Sequence, residues 1–366
     1  ATGKMEIGRC MEYSTNMHLN YVRNDDAVRT TFTSAELKAD TSHIKIAVTG
    51  DSQTDLCAPN PEVHFGVLET ELVQRGIPAT VFSYGSGRYS PLQGYLAFRK
   101  VMRPYKPDVL VLNLYTGNDL YDILRSDDRP HFVASDTGYV IAPPVWFTRD
   151  DPNLRRRSRV LFAARSLGDR LGIRSVWLRV SSLRKLGAQQ GEGLPAVFAY
   201  MKDLWKAREP SVGYADAFTS QILNQQLFFH HFPNSRAESL RRIEALLALA
   251  RAENPGMLLV MSPIPSYQLT GEQPVDSAFV KTVARIPISY EDGIKQELEM
   301  YEGVRKLALE QGWVFVDNLA ALRDYKGKER LFNDFDYHLL PVASRIVGQA
   351  QAAALEEPLR KRLLQH

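Results

Sequence analysis

Three short clusters in this 366-residue chain hold the residue types that a serine-based ester cleavage requires. Gly50-Asp51-Ser52 follows directly on the apolar run Ile44-Lys45-Ile46-Ala47-Val48-Thr49. Thr116-Gly117-Asn118-Asp119 closes a second apolar run, Val109-Leu110-Val111-Leu112-Asn113-Leu114-Tyr115, and Asp336-Tyr337-His338 stands near the C-terminus. A serine hydroxyl is a weak nucleophile until a histidine takes its proton, and a carboxylate holds that histidine in the right tautomer. Ser52, His338 and Asp336 supply those three roles. The oxyanion that forms on the carbonyl needs preorganised donors. The backbone N–H groups of Ser52 and Gly85 and the side-chain amide of Asn118 are the candidates. Asp51, Tyr115 and Asp119 flank them and are candidates for contacting substrate.

Each residue also has an ordinary reading. Ser52 can cap the helix after its turn, Asn118 can be a turn residue, Asp119 can be a helix N-cap, and His338 can be a surface histidine. Asp334 rivals Asp336 as the partner of the imidazole, and the Asp-x-His form favours Asp336. It is the combination, in this order and each at an expected loop, that points to nucleophilic catalysis.

The elements that must position these groups read as strand and helix in alternation. Strands are expected at Ile44–Val48, Ala79–Ser83, Val109–Leu114, Met257–Met261 and Trp313–Val316. Helical apolar spacing covers Val63–Arg75 and Leu92–Met102, then Ala237–Arg251, Glu291–Gln311 and Ser344–Leu355. This alternation predicts an α/β fold: three layers, with helices on both faces of a parallel sheet. In such a sheet ligands bind at the carboxyl ends of the strands. Ser52, Gly85 and Asn118 follow the first, second and third strands, so they converge on one edge.

At this point the residues resemble the SGNH/GDSL hydrolase superfamily. The four blocks read Gly50-Asp51-Ser52-Gln53-Thr54, Ser83-Tyr84-Gly85-Ser86-Gly87, Gly117-Asn118-Asp119 and Asp336-Tyr337-His338. The resemblance covers about residues 44–125 and 255–356. It implies a flavodoxin-like α/β/α fold, and hydrolysis or transfer of an acyl group by a Ser52–His338–Asp336 triad with no cofactor. Family members with an arm and a large insertion are often exported bacterial enzymes acting on O-acetyl groups of polysaccharides. The resemblance therefore implies an acylated carbohydrate or other small ester as substrate, and a periplasmic or extracellular setting, with a membrane anchor conceivable in a longer form. An O-acetyltransferase would use the same triad, and a non-catalytic glycan-binding or assembly protein would keep the fold. Ser83 stands where many members have asparagine, and Leu339-Leu340-Pro341-Val342-Ala343 lacks a glycine often found after the histidine. The order of the blocks separates the chain from the α/β-hydrolases, whose Gly-x-Ser-x-Gly elbow is absent.

Residues 1–41 are polar and read as an irregular extended arm, with the hydrolase domain over 42–366 and an insertion at about 126–250. The insertion holds Pro130 and Pro143-Pro144, then a basic stretch from Arg155 to Lys185 that carries one acid, Asp169. Interleaved Val160, Leu161, Phe162, Leu167 and Trp177 give it an amphipathic pattern. Such a helix can meet an anionic polymer or membrane surface; as a lid on the core it leaves its arginines solvated. Tyr89, Tyr115, Tyr121 and Trp146 can stack on sugar rings or pack in the core.

The composition, 44% hydrophobic and 24% charged, is that of a globular chain, and a net charge of +3 gives no ground for nucleic-acid binding. No apolar run approaches the roughly 20 residues of a membrane helix. No GxxxxGK[ST] phosphate loop occurs, and the adjacent His230-His231 lacks partners at metal-ligand spacing. The chain opens Ala1-Thr2-Gly3-Lys4, without an initiator methionine or signal peptide, as a processed form would. Its two cysteines, Cys10 and Cys57, can bridge the arm to the serine loop in an oxidising compartment or remain thiols.

Overall fold

The computed structural model describes residues 6–12, 17–56, 58–87, 89–125, 130–136, 138–143, 194–207, 222, 225–272, 287–333 and 337–364. Nine strands lie among them: β1 (Glu6–Glu12), β2 (Met17–Arg23), β3 (Ile44–Gly50), β4 (Ala79–Gly85), β5 (Val109–Tyr115), β6 (His131–Ser135), β7 (Gly138–Ala142), β8 (Leu258–Ile264) and β9 (Val314–Phe315). Five of them form the central sheet, in the order β4-β3-β5-β8-β9, and every neighbouring pair is parallel. Numbered within the sheet this is 2-1-3-4-5, the flavodoxin-like doubly wound order, whose ligand crevice lies where the winding reverses between β3 and β5.

The sequence explains these strands. All seven residues of β5 are buried, so its apolar run has no polar alternation to keep. Helix His64–Gln74 buries His64, Phe65, Leu68 and Leu72, one face at helical spacing. It packs against the long C-terminal helix Pro341–Leu363. Gly348 allows the close approach: a Cβ there would lie 2.6 Å from the His64 carbonyl oxygen. Helix Asn234–Glu253 packs on both Pro91–Ala97 and Tyr290–Glu310. The sheet between these helices completes three layers.

Several segments depart from the sequence reading. Residues 1–41 are not irregular throughout. β1 and β2 pair as an antiparallel hairpin, and Ser34–Ala39 is a helix. Thr33 caps that helix, and the Glu36 carboxylate reaches back to the Thr33 backbone, the Thr-x-x-Glu capping box. Between β2 and this helix the chain meets the sheet. Arg29 N–H donates to the Ser83 carbonyl at 2.8 Å and Ser83 N–H to the Arg29 carbonyl at 2.9 Å. The helix expected over Leu92–Met102 is α-helical only over Pro91–Ala97. It passes into a π turn (Phe98–Met102) and a 3-10 turn (Arg103–Tyr105), which ends at Lys106 with φ 56°. Within the insertion β6 and β7 form a second hairpin. Helix Leu194–Ala207 lays Tyr200 against Phe228 and Phe232. The basic stretch 155–185, Trp146 and Cys57 lie outside the described residues, and with Cys57 the Cys10–Cys57 pairing. Among the described residues no helix is long and apolar enough to cross a membrane.

Candidate active site

Ser52 sits in the turn that leaves β3. Asp51 organises this turn: its carbonyl accepts the N–H groups of Thr54 (3.2 Å) and Asp55 (3.1 Å), and its Oδ1 accepts Gln53 N–H (2.9 Å). Thr54 Oγ1 in turn accepts Asn113 Nδ2 from the middle of β5 at 2.9 Å. Ser52 is half-buried and caps no helix; the next α-helix begins at His64 with Val63 as its N-cap.

The glycine turn after β4 lies directly against this loop. Register pairs Gly50 with Gly85, and a Cβ on Gly85 would lie 2.8 Å from the Asp51 carbonyl oxygen and 3.0 Å from Asp55 N. Glycine is required there by contact with backbone that cannot yield. A Cβ on Gly87 would be 3.9 Å from Ser52 Cβ, so this turn forms one wall beside the serine. Ser83, where many proteins of the resembled family have asparagine, holds the turn through its backbone pairing with Arg29.

Asn118 follows β5. It stands at the N-cap position of the short helix Asp119–Asp122 without a side-chain capping bond, and its Nδ2 donates to Asp122 Oδ2 at 3.0 Å. Asp119 turns back and accepts Tyr115 N–H at 2.8 Å. The Tyr115 ring is buried over Gly117, where any side chain would come within 2.6 Å of it. Tyr121 packs on Phe228, with ring centroids 4.8 Å apart.

His338 is brought to the same edge by Gln53. The Gln53 carboxamide donates to the Tyr337 carbonyl at 3.2 Å and accepts Leu339 N–H at 3.1 Å. The residue next to Ser52 thus grips both neighbours of His338. The loop bearing His338 bends sharply: Asn333 N–H donates to the His338 carbonyl and Tyr337 N–H to the Asn333 carbonyl. Tyr337 takes a left-handed backbone, φ 54°, a conformation that a bulky residue adopts only when its surroundings impose it. Its ring is stacked on Tyr267, which follows β8, at 4.2 Å and 16°. Asp336 and its rival Asp334 lie outside the described residues.

The electrostatics tie these loops together. Burial pushes the Asp51 carboxyl up to about 6; the nearby His338 opposes this shift and the Asp122 carboxylate adds to it. Asp51, Asp122 and His338 therefore share one neighbourhood. Behind it, His64 Nε2 lies 3.3 Å from the Gln53 carbonyl oxygen, and burial holds the His64 imidazole down at about 4. His64 is thus neutral at physiological pH. Glu297 is buried behind the Asn118 loop. It accepts bonds from the Thr116 hydroxyl, from Ser266 N–H (3.0 Å) and from Ser266 Oγ (2.6 Å). Desolvation raises its carboxyl above the usual range.

Gln53, Asp122 and Glu297 were not among the residues singled out from the sequence. Only Asp122 carries a readable signal, its i, i+4 spacing from Asn118. Elsewhere, His231 Nε2 lies 3.0 Å from Asp203 Oδ2. No group of three metal-ligating side chains occurs among the described residues.

No protein-family model matches the chain, and no curated protein does. Among solved structures it is similar to a lipase/acylhydrolase from Enterococcus faecalis (11% identity, 86% of this chain and 96% of that one, TM-score 0.37). It is also similar to the acetyl xylan esterase AlAXEase (12% identity, 85% and 100%, TM-score 0.39). A third is a catalytic mutant of an acetylxylan esterase from Geobacillus stearothermophilus (9% identity, 87% and 96%, TM-score 0.41).

Proposed function

We propose that this chain is a serine ester hydrolase of the SGNH type, acting through a Ser52 acyl-enzyme. One observation carries the reading. The side chain of Gln53 joins the Ser52 turn to both neighbours of His338, at the sheet edge where Gly85 ends β4 and Asn118 follows β5. Nucleophile, base and oxyanion donors are wanted at one place, and four segments distant in sequence meet there.

In this mechanism His338 takes the Ser52 hydroxyl proton as Oγ attacks the ester carbonyl carbon. The carbonyl π electrons move onto oxygen, which the N–H groups of Ser52 and Gly85 and the Nδ2 of Asn118 receive. Collapse expels the alcohol, which takes the proton from His338. Water, deprotonated by His338, then attacks the acyl-serine carbonyl; collapse breaks the bond to Ser52 Oγ, which takes that proton back from His338, and releases the acid. Asp336, two residues before His338 in sequence, orients the imidazole. The Gly85–Gly87 turn lies close against Ser52, which suits a short acyl group such as acetyl. A carbohydrate O-ester is the proposed substrate class, on the family resemblance, and an exported setting belongs to the same proposal.

The test is p-nitrophenol release from p-nitrophenyl acetate by wild type beside Ser52→Ala. Turnover that vanishes in the variant supports the acyl-enzyme. Equal turnover in both, or none in either, removes the esterase reading.

A further inference from the structure

We propose that Gln225, which belongs to the segment between the Asn118 loop and helix Asn234–Glu253, is a positioning residue for the oxyanion asparagine. The proposal rests on the reading of Asn118 as an oxyanion donor. It gives the inserted segment a direct part in the reaction.

The Gln225 side chain is buried and lies in a helical stretch described over 225–231. Its Oε1 accepts Tyr121 N–H at 3.0 Å, and its Nε2 donates to the Thr116 carbonyl at 2.5 Å. Thr116 and Tyr121 lie on either side of Asn118, so one planar carboxamide spans the loop that carries the oxyanion amide. Its orientation is determined: an N–H must meet an oxygen and a carbonyl must meet an N–H, and a flipped amide would fail at both ends. Tyr121 N–H is shared with the carbonyl of Asn118 itself at 3.0 Å. Gln225 therefore touches the same hydrogen-bond centre that sets the Asn118 backbone.

Other side chains that bond this loop each hold one side of Asn118. Glu297 and Asp119 fix the strand side, at Thr116 and Tyr115. Ser239 holds Leu120, its Oγ donating to that carbonyl at 2.6 Å. Gln225 ties the strand side to the helical side across Asn118, and Phe228, one turn further on, packs against the Tyr121 ring. The arrangement parallels the one at His338. There too a buried glutamine bonds the backbone on both sides of a catalytic candidate. Gln53 is adjacent to the serine in sequence, whereas Gln225 is supplied by the insertion.

An oxyanion donor acts on the transition state more than on the ground state. Loosening its loop should therefore lower kcat and leave KM nearly unchanged. The experiment uses the full chain with p-nitrophenyl acetate: wild type, Gln225→Leu, Asn118→Ala and the double variant. Gln225→Leu should lower kcat about 10- to 100-fold, with KM within about twofold. In the Asn118→Ala background the same change should cost less than about twofold, because the group it positions is already gone. Equal losses in both backgrounds, or an unchanged kcat in Gln225→Leu, would overturn the proposal. Hydrogen exchange reads the clamp without turnover. Amides over 116–122 should exchange at least about tenfold faster in Gln225→Leu, and unchanged exchange overturns the clamp. Wild type that exchanges as expected but cleaves no ester would instead sink the esterase reading and leave the clamp standing.

Discussion

Replacing Gln53 by leucine removes the carboxamide that joins the Ser52 turn to the His338 loop while keeping a buried side chain of similar size. Gln53 is 2% exposed, and its amide serves two buried backbone groups, the Tyr337 carbonyl and Leu339 N–H. Each buried polar group left without a partner costs about 1–3 kcal/mol. With some relaxation of the loop, Gln53→Leu should lose about 2–4 kcal/mol of stability. Tyr337 is held at φ 54°, a conformation that itself costs on the order of 1–3 kcal/mol. Once released it would relax and carry His338 with it. A displacement of about 1 Å at a reacting group can cost on the order of 10² in rate, so kcat should fall about that far. Gln53→Glu should behave differently. It keeps an acceptor for Leu339 N–H but opposes two oxygens at Tyr337, so it should lose the donor bond and bury a charge as well. Urea unfolding and p-nitrophenyl acetate turnover on the three proteins decide the matter. A Gln53→Leu protein within about 0.5 kcal/mol of wild type would place it with neutral surface changes and refute the clamp. Lost stability with intact kcat would refute its link to His338.

Three further outcomes are expected. Burial holds His64 at about 4 against an ordinary 6.5, so the unfolded chain gains a proton that the folded chain refuses. The stability present above pH 6.5 is therefore lost as pH falls through 6.5 toward 4, by about 3 kcal/mol in full. Unfolding midpoints from pH 7 to pH 4 should fall less steeply in His64→Gln, and an unchanged slope would show that His64 is not the group responsible. Gly85→Ala drives a Cβ to 2.8 Å from a backbone oxygen and should abolish turnover, whereas Gly87→Ala places one 3.9 Å from Ser52 Cβ, in ordinary contact. Gly87→Ala should fold as wild type and discriminate more strongly against butyrate than acetate esters; equal discrimination would mean that Gly87 does not border the acyl group.

The central sheet was legible because β3, β4, β5 and β8 are apolar runs closed by turn residues. Burial on both faces leaves such strands no other pattern. The edge that gathers Ser52, Gly85 and Asn118 followed from parallel topology alone. The residues that lock the edge were not legible. The Gln53 and Gln225 carboxamides act only through partners 284 to 286 and 104 to 109 residues away, and nothing local distinguishes them from surface glutamines. The helix Ser34–Ala39 was missed although its Thr33-x-x-Glu36 capping box is a local signal. The π turn at Phe98–Met102 follows a continuous helical pattern whose hydrogen bonding shifts only once it is packed.

The pairing of Arg29 with Ser83 has a consequence for how the molecule behaves among its own copies. Among the described residues β4 is the outermost strand on its side of the sheet, and β9, the outermost on the other, has only two residues. A short edge offers little to a passing chain, but Ala79–Gly85 is a seven-residue apolar strand of the kind that recruits another strand. Arg29 occupies its outer hydrogen-bonding groups at Ser83. The buried Arg29 guanidinium anchors that contact, donating at 2.7 Å to both the Leu56 and the Ala58 carbonyls. Without residues 23–30 the bare edge would present the very strand that ends in Gly85. Self-association there would begin at the glycine turn proposed to receive the oxyanion, so the segment that precedes the sheet occupies an edge that another copy of the chain would otherwise pair with.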